Sequence, residues 1–289
     1  MTHSNNMRGA LFMMASMAGF VLNDTMIKLV SEDIELFQAV FLRGIFATLF
    51  LGVLAWQKKV IFHRPEPGEF KIIAWRTFAE ISATFCFLTA LFNMPLANAT
   101  AILQFLPLSV TLAASIFLGY QVGWRRYLAI SIGFAGVILI VRPGTDGFNI
   151  YSLWALGAVA FVTLRDLLSH KLSRSTPSIF VALITSISIM ILAGVGSTTQ
   201  EWMDVSPQLV LYLATAGGFI LIGYVAGVAS MRDVEISFVS PFRYTVLIWA
   251  LLLGFFVFGE APDVITITGS LIVVGTGIYT FYRERKIQT

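Results

Sequence analysis

The chain has 289 residues, of which 57% are apolar and only 12% carry a charge, and its mean hydropathy is +0.83. A soluble protein of this length needs about twice that share of charged residues to cover its surface, so these values exclude a soluble globular protein. The formal net charge of +3 comes from basic residues that are scattered along the chain. Because they form no cluster or stripe, a nucleic-acid partner is not expected.

Hydrophobic runs of about 20 residues, the length that crosses a bilayer as a helix, recur along the sequence. The ten runs cover residues 8–30, 35–56, 71–93, 97–118, 126–142, 150–170, 178–198, 207–230, 236–258 and 263–282. Ten helices of this length leave only short connections, without room for a soluble domain. The sequence therefore predicts an all-α integral membrane protein with ten transmembrane helices.

Basic residues indicate which ends of these helices are cytoplasmic. If the N-terminus is cytoplasmic, 13 Lys and Arg residues fall on that side of the membrane and one, Arg142, falls on the other. Ten helices with both termini in the cytoplasm give this split, and the removal of one helix would destroy it. We expect the N-terminus and the C-terminus to be cytoplasmic.

The two halves of the sequence resemble each other around two prolines. Pro107 and Pro241 lie in the fourth and ninth hydrophobic runs, and each precedes an apolar stretch that ends in glycine. Two five-helix units over residues 1–142 and 149–289 account for this similarity. Because five is odd, the second unit enters the membrane in the opposite direction, and such inverted repeats are typical of transporters with a substrate site between the halves. Each proline is expected to interrupt its helix, either to open a cavity or only to improve packing.

Eight ionisable residues lie inside the predicted helices, where each costs at least about 2.5–3.5 kcal/mol near the bilayer centre. They are Asp24, Lys28, Arg43, Arg76, Glu80, Arg165, Asp166 and Arg243. The i, i+4 spacing places Asp24 with Lys28 on one helix face and Arg76 with Glu80 on another. One interpretation is that these residues form structural ion pairs between helices. The other is that they face a water-filled cavity and act on a substrate.

The second interpretation assigns a binding role to two of the cations. Five basic and three acidic residues leave an excess of two positive charges, which an anionic or strongly dipolar substrate would balance. Arginine presents a planar fork to carboxylate or phosphate. We therefore expect Arg43 and Arg243, from opposite halves, to hold the charged group of the substrate. Asp24, Glu80 and Asp166 are candidate proton carriers or counter-ions.

Further polar and aromatic side chains are candidates to shape the binding pocket. They are Asn23, Glu80, Gln104, Tyr244 and Trp249. Gln104 and Tyr244 lie close to the two prolines. Trp249 lies in the middle of its hydrophobic run rather than at a membrane interface, so it is a candidate for stacking on a planar substrate.

Residues suited to catalysis or metal binding are scarce in this sequence. His3, His63 and His170 fall in a tail, a loop and a helix end, and Cys86 is the one cysteine. No pair has the spacing of metal ligands or of a nucleophile with its base, and no phosphate-binding glycine loop is present. We expect neither an enzyme nor a metal or other cofactor. A receptor or scaffold is the remaining alternative, which the short loops disfavour.

Short runs distributed over nearly the whole chain are similar to those of a known family. They are Asn23-Asp24-Thr25-Met26-Ile27-Lys28, Phe41-Leu42-Arg43, Ala99-Thr100-Ala101, Arg142-Pro143-Gly144, Arg165-Asp166, Ser240-Pro241-Phe242-Arg243-Tyr244-Thr245 and Phe258-Gly259-Glu260-Ala261-Pro262-Asp263. In these runs the chain resembles the drug/metabolite transporter superfamily of EamA type. The resemblance extends to the branch that contains S-adenosylmethionine and riboflavin carriers.

The resemblance implies alternating access without ATP in the bacterial cytoplasmic (inner) membrane, with a site among the first, third, fourth, sixth, eighth and ninth helices. We predict a secondary transporter for a small organic metabolite that is anionic, zwitterionic or planar and polar. The lipid bilayer and protons are further predicted partners, and a monomer or a homodimer is expected. The alternative is an exporter of amino acids or amphipathic compounds whose intramembrane charges are structural.

One position departs from the pattern of this family. Glu260 keeps the acidic residue that is common after the ninth helix, but the corresponding residue after the fourth helix is Tyr120, where the family often has Glu. A role that needs both acids is therefore in doubt. We expect Glu260 to act as a cap within its loop region.

Overall fold

A computed structural model describes residues 3–119, 123–145, 148–173, 175–230 and 236–288, whose regular structure is helical throughout. The helices are α1 (His3–Leu29), α2 (Leu36–Gln57), α3 (Glu69–Asn93), α4 (Leu96–Leu103), α5 (Leu106–Phe117), α6 (Trp124–Val141), α7 (Tyr151–Ser169), α8 (Ser178–Ser197), α9 (Pro207–Ser230), α10 (Ile236–Val239), a 3₁₀-helix (Ser240–Tyr244), α11 (Thr245–Phe258) and α12 (Val264–Gln288). Tyr120 lies outside the described residues, as do Arg174 and Arg232, which are two of the 13 basic residues assigned to the cytoplasmic side.

These helices form the ten predicted spans. In the described part of the chain, nine spans are at least 18 residues long and apolar enough to cross a membrane, and a further apolar segment covers Val264–Thr280. The fourth span consists of α4 and α5, and the ninth consists of α10, the 3₁₀-helix and α11. The predicted all-helical membrane fold is confirmed, and most helix ends lie within two residues of their expected positions.

We name the two ends of the bundle by the course of the chain. The terminal end is where α1 begins and α12 ends, and the distal end is where α1 ends and α2 begins. Between the two ends, large apolar side chains cover the outside of the bundle; Phe256 is 77% exposed and Leu271 is 68% exposed. Helices that are apolar on their outward faces are typical of a protein surrounded by lipid.

Both prolines interrupt their helices, as predicted. α4 ends at Leu103 and α5 begins at Leu106, one residue before Pro107. At Pro241 the chain forms the 3₁₀-helix that separates α10 from α11. Proline has no N–H to donate, and its ring clashes with the preceding turn of an α-helix. The interruptions leave irregular backbone within two of the spans, and Arg243 lies in the second of them.

The packing of the helices follows a two-fold pattern. α1 packs along α9 as α7 packs along α3, while α2 packs on α8 and α6 packs on α12. These pairs map onto one another when each of the first five spans is exchanged with its counterpart among the last five. Two inverted five-helix repeats produce this pattern, in which the main helix pairs form between the repeats.

Glycines allow close approach at two of these crossings. A Cβ added to Gly19 of α1 would lie 2.9 Å from the backbone nitrogen of Gly223 in α9. A Cβ added to Gly269 of α12 would lie 2.7 Å from the backbone oxygen of Gly136 in α6. Small residues at such contacts are the usual basis of helix packing in lipid. They hold α1 against α9 and α6 against α12.

Candidate substrate pathway

Four of the intramembrane charges form one network towards the terminal end, between α3 and α7. Arg165 donates from Nη1 to both carboxylate oxygens of Glu80, at 3.1 and 3.0 Å, and its Nη2 lies 2.8 Å from Asp166 Oδ1. Arg76 Nη2 lies 3.8 Å from Glu80 Oε2, which confirms the pair expected from their spacing. We call these four residues the terminal charge cluster.

Hydroxyl groups complete the terminal charge cluster. Arg76 donates to Ser169 Oγ of α7 at 3.1 Å and to Thr185 Oγ1 of α8 at 3.0 Å. With two cations and two anions the cluster is formally neutral, and each of its four charged groups has a partner. Its side chains nevertheless remain 18–35% exposed. The cluster therefore borders accessible space rather than a closed core.

A second polar group lies nearer the distal end, between α1 and α2. Arg43 donates from Nη1 to Asn23 Oδ1 at 3.5 Å, and Asn23 donates from Nδ2 to Asp24 Oδ1 at 2.9 Å. The Asn23 amide thus joins a cation to an anion, and the described residues show no direct ion pair between Arg43 and Asp24. We call Asn23, Asp24 and Arg43 the distal polar group.

Arg43 has an unsatisfied donor. The residue is 7% exposed, and among the described residues nothing accepts a hydrogen bond from its buried Nε. A buried donor without an acceptor costs about 1–3 kcal/mol, and more on a charged group. An acceptor on a bound molecule would remove this cost, so the geometry suits a carboxylate, a phosphate or a carbonyl oxygen.

Lys28 pairs with Glu260 rather than with Asp24. Its Nζ lies 2.7 Å from Glu260 Oε1 and donates to the Met94 carbonyl oxygen at 2.6 Å. Glu260 Oε2 also accepts a hydrogen bond from the backbone N–H of Leu96 at 2.8 Å, which confirms a capping role, here at the start of α4. The pairing of Asp24 with Lys28 is not formed, because Lys28 lies in the last turn of α1 and its long side chain reaches across the distal end.

Arg43 and Arg243 are not brought together. At 1.5 Å per residue, Arg43 lies about 10 Å from the distal end of α2, whereas Arg243 lies roughly 20 Å from the distal end of its own span. Arg43 is buried and Arg243 is exposed. Both residues come early in their spans, and the two spans run in opposite directions. The joint clamp expected from the sequence is therefore not formed, and Arg243 lies at the depth of the terminal charge cluster.

The three remaining candidates have different surroundings. Gln104 is buried at the break after α4, and its Nε2 donates to the carbonyl oxygen of Thr100 at 2.9 Å. Tyr244 is buried against α12, where a Cβ on Gly277 would lie 1.6 Å from its hydroxyl oxygen. Trp249 is 36% exposed. Gln104 and Trp249 lie about 12–14 Å from the distal end, close to the depth of the distal polar group, whereas Tyr244 lies deeper.

Sequence reasoning missed the partners that the fold supplies over long range. Ser169 and Thr185 hold Arg76, and the Met94 carbonyl holds Lys28. The one available signal is a Ser or Thr inside an apolar helix, which does not identify its partner. Among the described residues, no group of three or more His, Cys, Asp or Glu could hold a metal ion.

A helical bundle of two related halves, with charged side chains and interrupted helices at hydrocarbon depth, is typical of membrane transporters. Comparison with known families agrees. The chain belongs to the EamA-like transporter family, which matches residues 7–142 and again residues 149–282. The predicted family is confirmed, and the chain is a transporter rather than an enzyme.

Three relatives match over most of their length. An S-adenosylmethionine uptake transporter from Rickettsia felis is 24% identical and covers 96% of this chain and 94% of its own. A riboflavin transporter from Vibrio cholerae is 27% identical over 97% and 95% of the two chains, and the pseudopaline exporter CntI from Pseudomonas aeruginosa is 22% identical over 92% and 93%. Since the named cargoes differ, these similarities define a transporter without fixing its cargo.

A solved crystal structure has the same fold. It superposes on this chain with a TM-score of 0.65 and covers 95% of this chain and 99% of that chain. The two sequences are 17% identical, so the likeness extends to the fold alone.

Proposed function

We propose that the chain moves a small organic metabolite with an anionic, zwitterionic or planar polar group across the bacterial cytoplasmic membrane by alternating access. The observation that carries this proposal is the buried Arg43, whose Nε has no acceptor among the described residues. Arg43 and Asn23 bind the charged or dipolar group of the substrate. Gln104 and Trp249, at a similar depth, shape the pocket around it.

The remaining charges act along the path to the terminal end. Glu80 and Asp166 serve as counter-ions or proton carriers, because their side chains are 22% and 35% exposed and so within reach of water. Asp24 is linked to Arg43 through Asn23, so occupation of Arg43 by a substrate changes the field that acts on the Asp24 carboxylate. Exposed Arg243, beside Tyr244, meets the substrate on the terminal side.

The cargoes named for two relatives belong to this chemical class. S-adenosylmethionine carries an amino-acid carboxylate that could accept from Arg43. Riboflavin is planar and polar, with carbonyl oxygens that could accept from the same group and a ring that could stack on Trp249. The proposed cargo is a metabolite with one of these two chemistries.

The proposed carrier consists of two domains, residues 1–142 and 149–289, inserted in opposite directions. Both termini lie in the cytoplasm, so the terminal end of the bundle is the cytoplasmic end. The distribution of basic residues along the sequence supports this orientation.

Transport by the purified protein in liposomes tests the proposal. Labelled S-adenosylmethionine and riboflavin are offered, with unlabelled anionic, zwitterionic and hydrophobic solutes as competitors. We expect saturable flux that solutes with a carboxylate inhibit. Flux inhibited by hydrophobic solutes alone would favour an exporter of amphipathic compounds. The terminal charge cluster also supports that alternative, because its four charged groups are paired with one another. The absence of saturable flux for any solute tested would contradict transport of this class of metabolite.

A further inference from the structure

One ion pair at the distal end connects segments from both repeats. The Lys28 ammonium joins the end of α1 to the Met94 carbonyl after α3 and to Glu260 after α11, and Glu260 in turn holds the first residue of α4, Leu96. The ring of Phe258 lies 5.3 Å from Lys28 Nζ. Through the side chains of Lys28 and Glu260, these contacts link the end of α1, the start of α4 and the end of α11.

The position of Glu260 is fixed by the way α11 ends. Gly259 adopts the left-handed conformation, with φ of 65°, which glycine accepts without steric cost. The backbone N–H of Glu260 then donates to the Gly254 carbonyl oxygen at 2.9 Å and closes the helix end. The carboxylate is therefore presented by a rigid helix end, which moves with α11.

The two ends of the bundle depart from two-fold symmetry at this point. α4 packs on α11 at the distal end, but in the described residues their counterparts, α10 and α5, show no comparable packing. The distal end is thus the closed end, in agreement with the accessible side chains of the terminal charge cluster.

The ion pair is reachable from outside the bundle. A cavity of about 630 Å³ is lined by both of its members, Lys28 and Glu260, together with Glu32 and Asn93. In the sequence, the position that corresponds to Glu260 in the first repeat is Tyr120, which cannot form such a pair. The acidic member of the pair is therefore present after the ninth span and replaced by tyrosine after the fourth.

We propose that Lys28 and Glu260 form the latch of a distal gate, which closes the pathway in the state described here and breaks each time the pathway opens to the distal side. This inference rests on the proposed transport function. The proposed latch differs from a purely structural cap, because a structural cap would stay formed throughout the transport cycle.

Reversible cross-linking tests the latch. Lys28→Cys and Glu260→Cys are combined in a Cys86→Ser background, reconstituted in liposomes, and bridged with a bifunctional methanethiosulfonate reagent. We expect flux to fall at least tenfold on bridging and to return on reduction. The matched control is Arg142→Cys with Asp263→Cys, an ion pair that joins α6 to α12 also at the distal end and that should keep its flux when bridged.

A second variant keeps the test decisive if the cysteine pair does not fold. Lys28→Met removes the ion pair and leaves Glu260 free to cap α4. Because a larger fraction of molecules would then be open at the distal end, the KM for solute on that side should fall about three- to tenfold, and Arg142→Met should leave it unchanged.

The outcomes separate the latch from the transport function. Undiminished flux after verified bridging, or an unchanged or raised distal KM in Lys28→Met, would overturn the latch while transport stands. The absence of saturable flux in the Cys86→Ser parent and in the unmodified chain would instead overturn the proposed function, and the latch with it.

Discussion

The terminal charge cluster and the distal polar group place charge at hydrocarbon depth in opposite ways. In the terminal charge cluster, Glu80 and Asp166 contact Arg165 directly at 3.1 Å or less. In the distal polar group, Asn23 separates Arg43 from Asp24, and one donor of Arg43 has no acceptor. The first arrangement is complete in the protein alone. The second lacks one acceptor among the described residues, and the proposed function assigns that acceptor to the substrate.

This difference revises the charge balance inferred from the sequence. Lys28 is neutralised by Glu260, which lies outside the apolar helices, so the excess of two positive charges falls to one. Arg243 has no ion pair among the described residues and is exposed. The proposed substrate therefore need not balance two cations in one place; in the proposed function it supplies an acceptor to Arg43.

The largest expected effect is the loss of Arg43. In Arg43→Gln the flux per unit of protein should fall about 100-fold, equivalent to about 2.7 kcal/mol, because charged hydrogen bonds to the substrate are lost. Initial rates in proteoliposomes measure it. Arg142→Gln, which removes an arginine at the distal surface, should keep the rate of the unmodified chain. A rate in Arg43→Gln that equals this control would remove Arg43 from the pathway.

A loss of Glu80 should affect stability most. Glu80→Gln leaves Arg165 and Arg76 without the carboxylate that they share, and removal of one partner from a partly buried pair should cost about 2–4 kcal/mol. Denaturant or thermal unfolding of the purified protein measures the cost, with the surface variant Glu201→Gln as the control. Equal stability of the two variants would show that the terminal charge cluster contributes little to the fold.

A smaller loss is expected where Tyr244 packs on α12. The methyl group of Gly277→Ala would lie 1.6 Å from the Tyr244 hydroxyl oxygen and 2.4 Å from its Cζ, so the buried ring must move. Overpacking of this kind costs about 1–3 kcal/mol. Gly275→Ala on the same helix meets no atom within 4 Å and should be neutral or slightly stabilising. The melting temperatures of the two variants are compared. A melting temperature of Gly277→Ala at or above that of Gly275→Ala would show that Tyr244 does not pack there.

The smallest effect is expected at the distal surface. The Arg142 guanidinium and the backbone N–H of Thr266 hold the pKa of Asp263 well below its usual range. A carboxylate whose pKa is lowered by folding stabilises the folded state at any pH above its pKa in the unfolded chain, which is near 4. This stabilisation is lost only as the pH falls below that unfolded-state pKa. Because the pair is exposed, Asp263→Asn should cost less than about 1 kcal/mol. The melting temperature of Asp263→Asn should lie below that of the unmodified chain by the same small amount at every pH from 5 to 8. A difference between the two proteins that changes with pH in that range would contradict the lowered pKa.

Much of the fold was predictable because its causes are local. Runs of apolar residues set the spans, and Pro107 and Pro241 interrupt their helices by the chemistry of proline alone. The Arg76–Glu80 contact follows from i, i+4 spacing on one helix. These features need no knowledge of how the helices pack.

The partners of the charges were not predictable, because they depend on contacts between distant helices. Lys28 has an acid four residues away, yet it pairs with Glu260, 232 positions along the chain. The separation of Arg43 from Arg243 follows from the opposite directions of their spans, which a list of intramembrane charges does not convey. Helix packing, rather than sequence spacing, decides which charges meet.

Binding of a matched pair of solutes tests most directly whether the substrate supplies the hydrogen-bond acceptor that Arg43 lacks. The dissociation constants of a transported solute with a carboxylate and of its methyl ester are measured by calorimetry on the unmodified chain and on Arg43→Gln. We expect esterification to weaken binding at least 30-fold in the unmodified chain and to change it less than threefold in Arg43→Gln. An equal loss in both proteins would show that the carboxylate is held elsewhere, and would contradict the proposed role of Arg43.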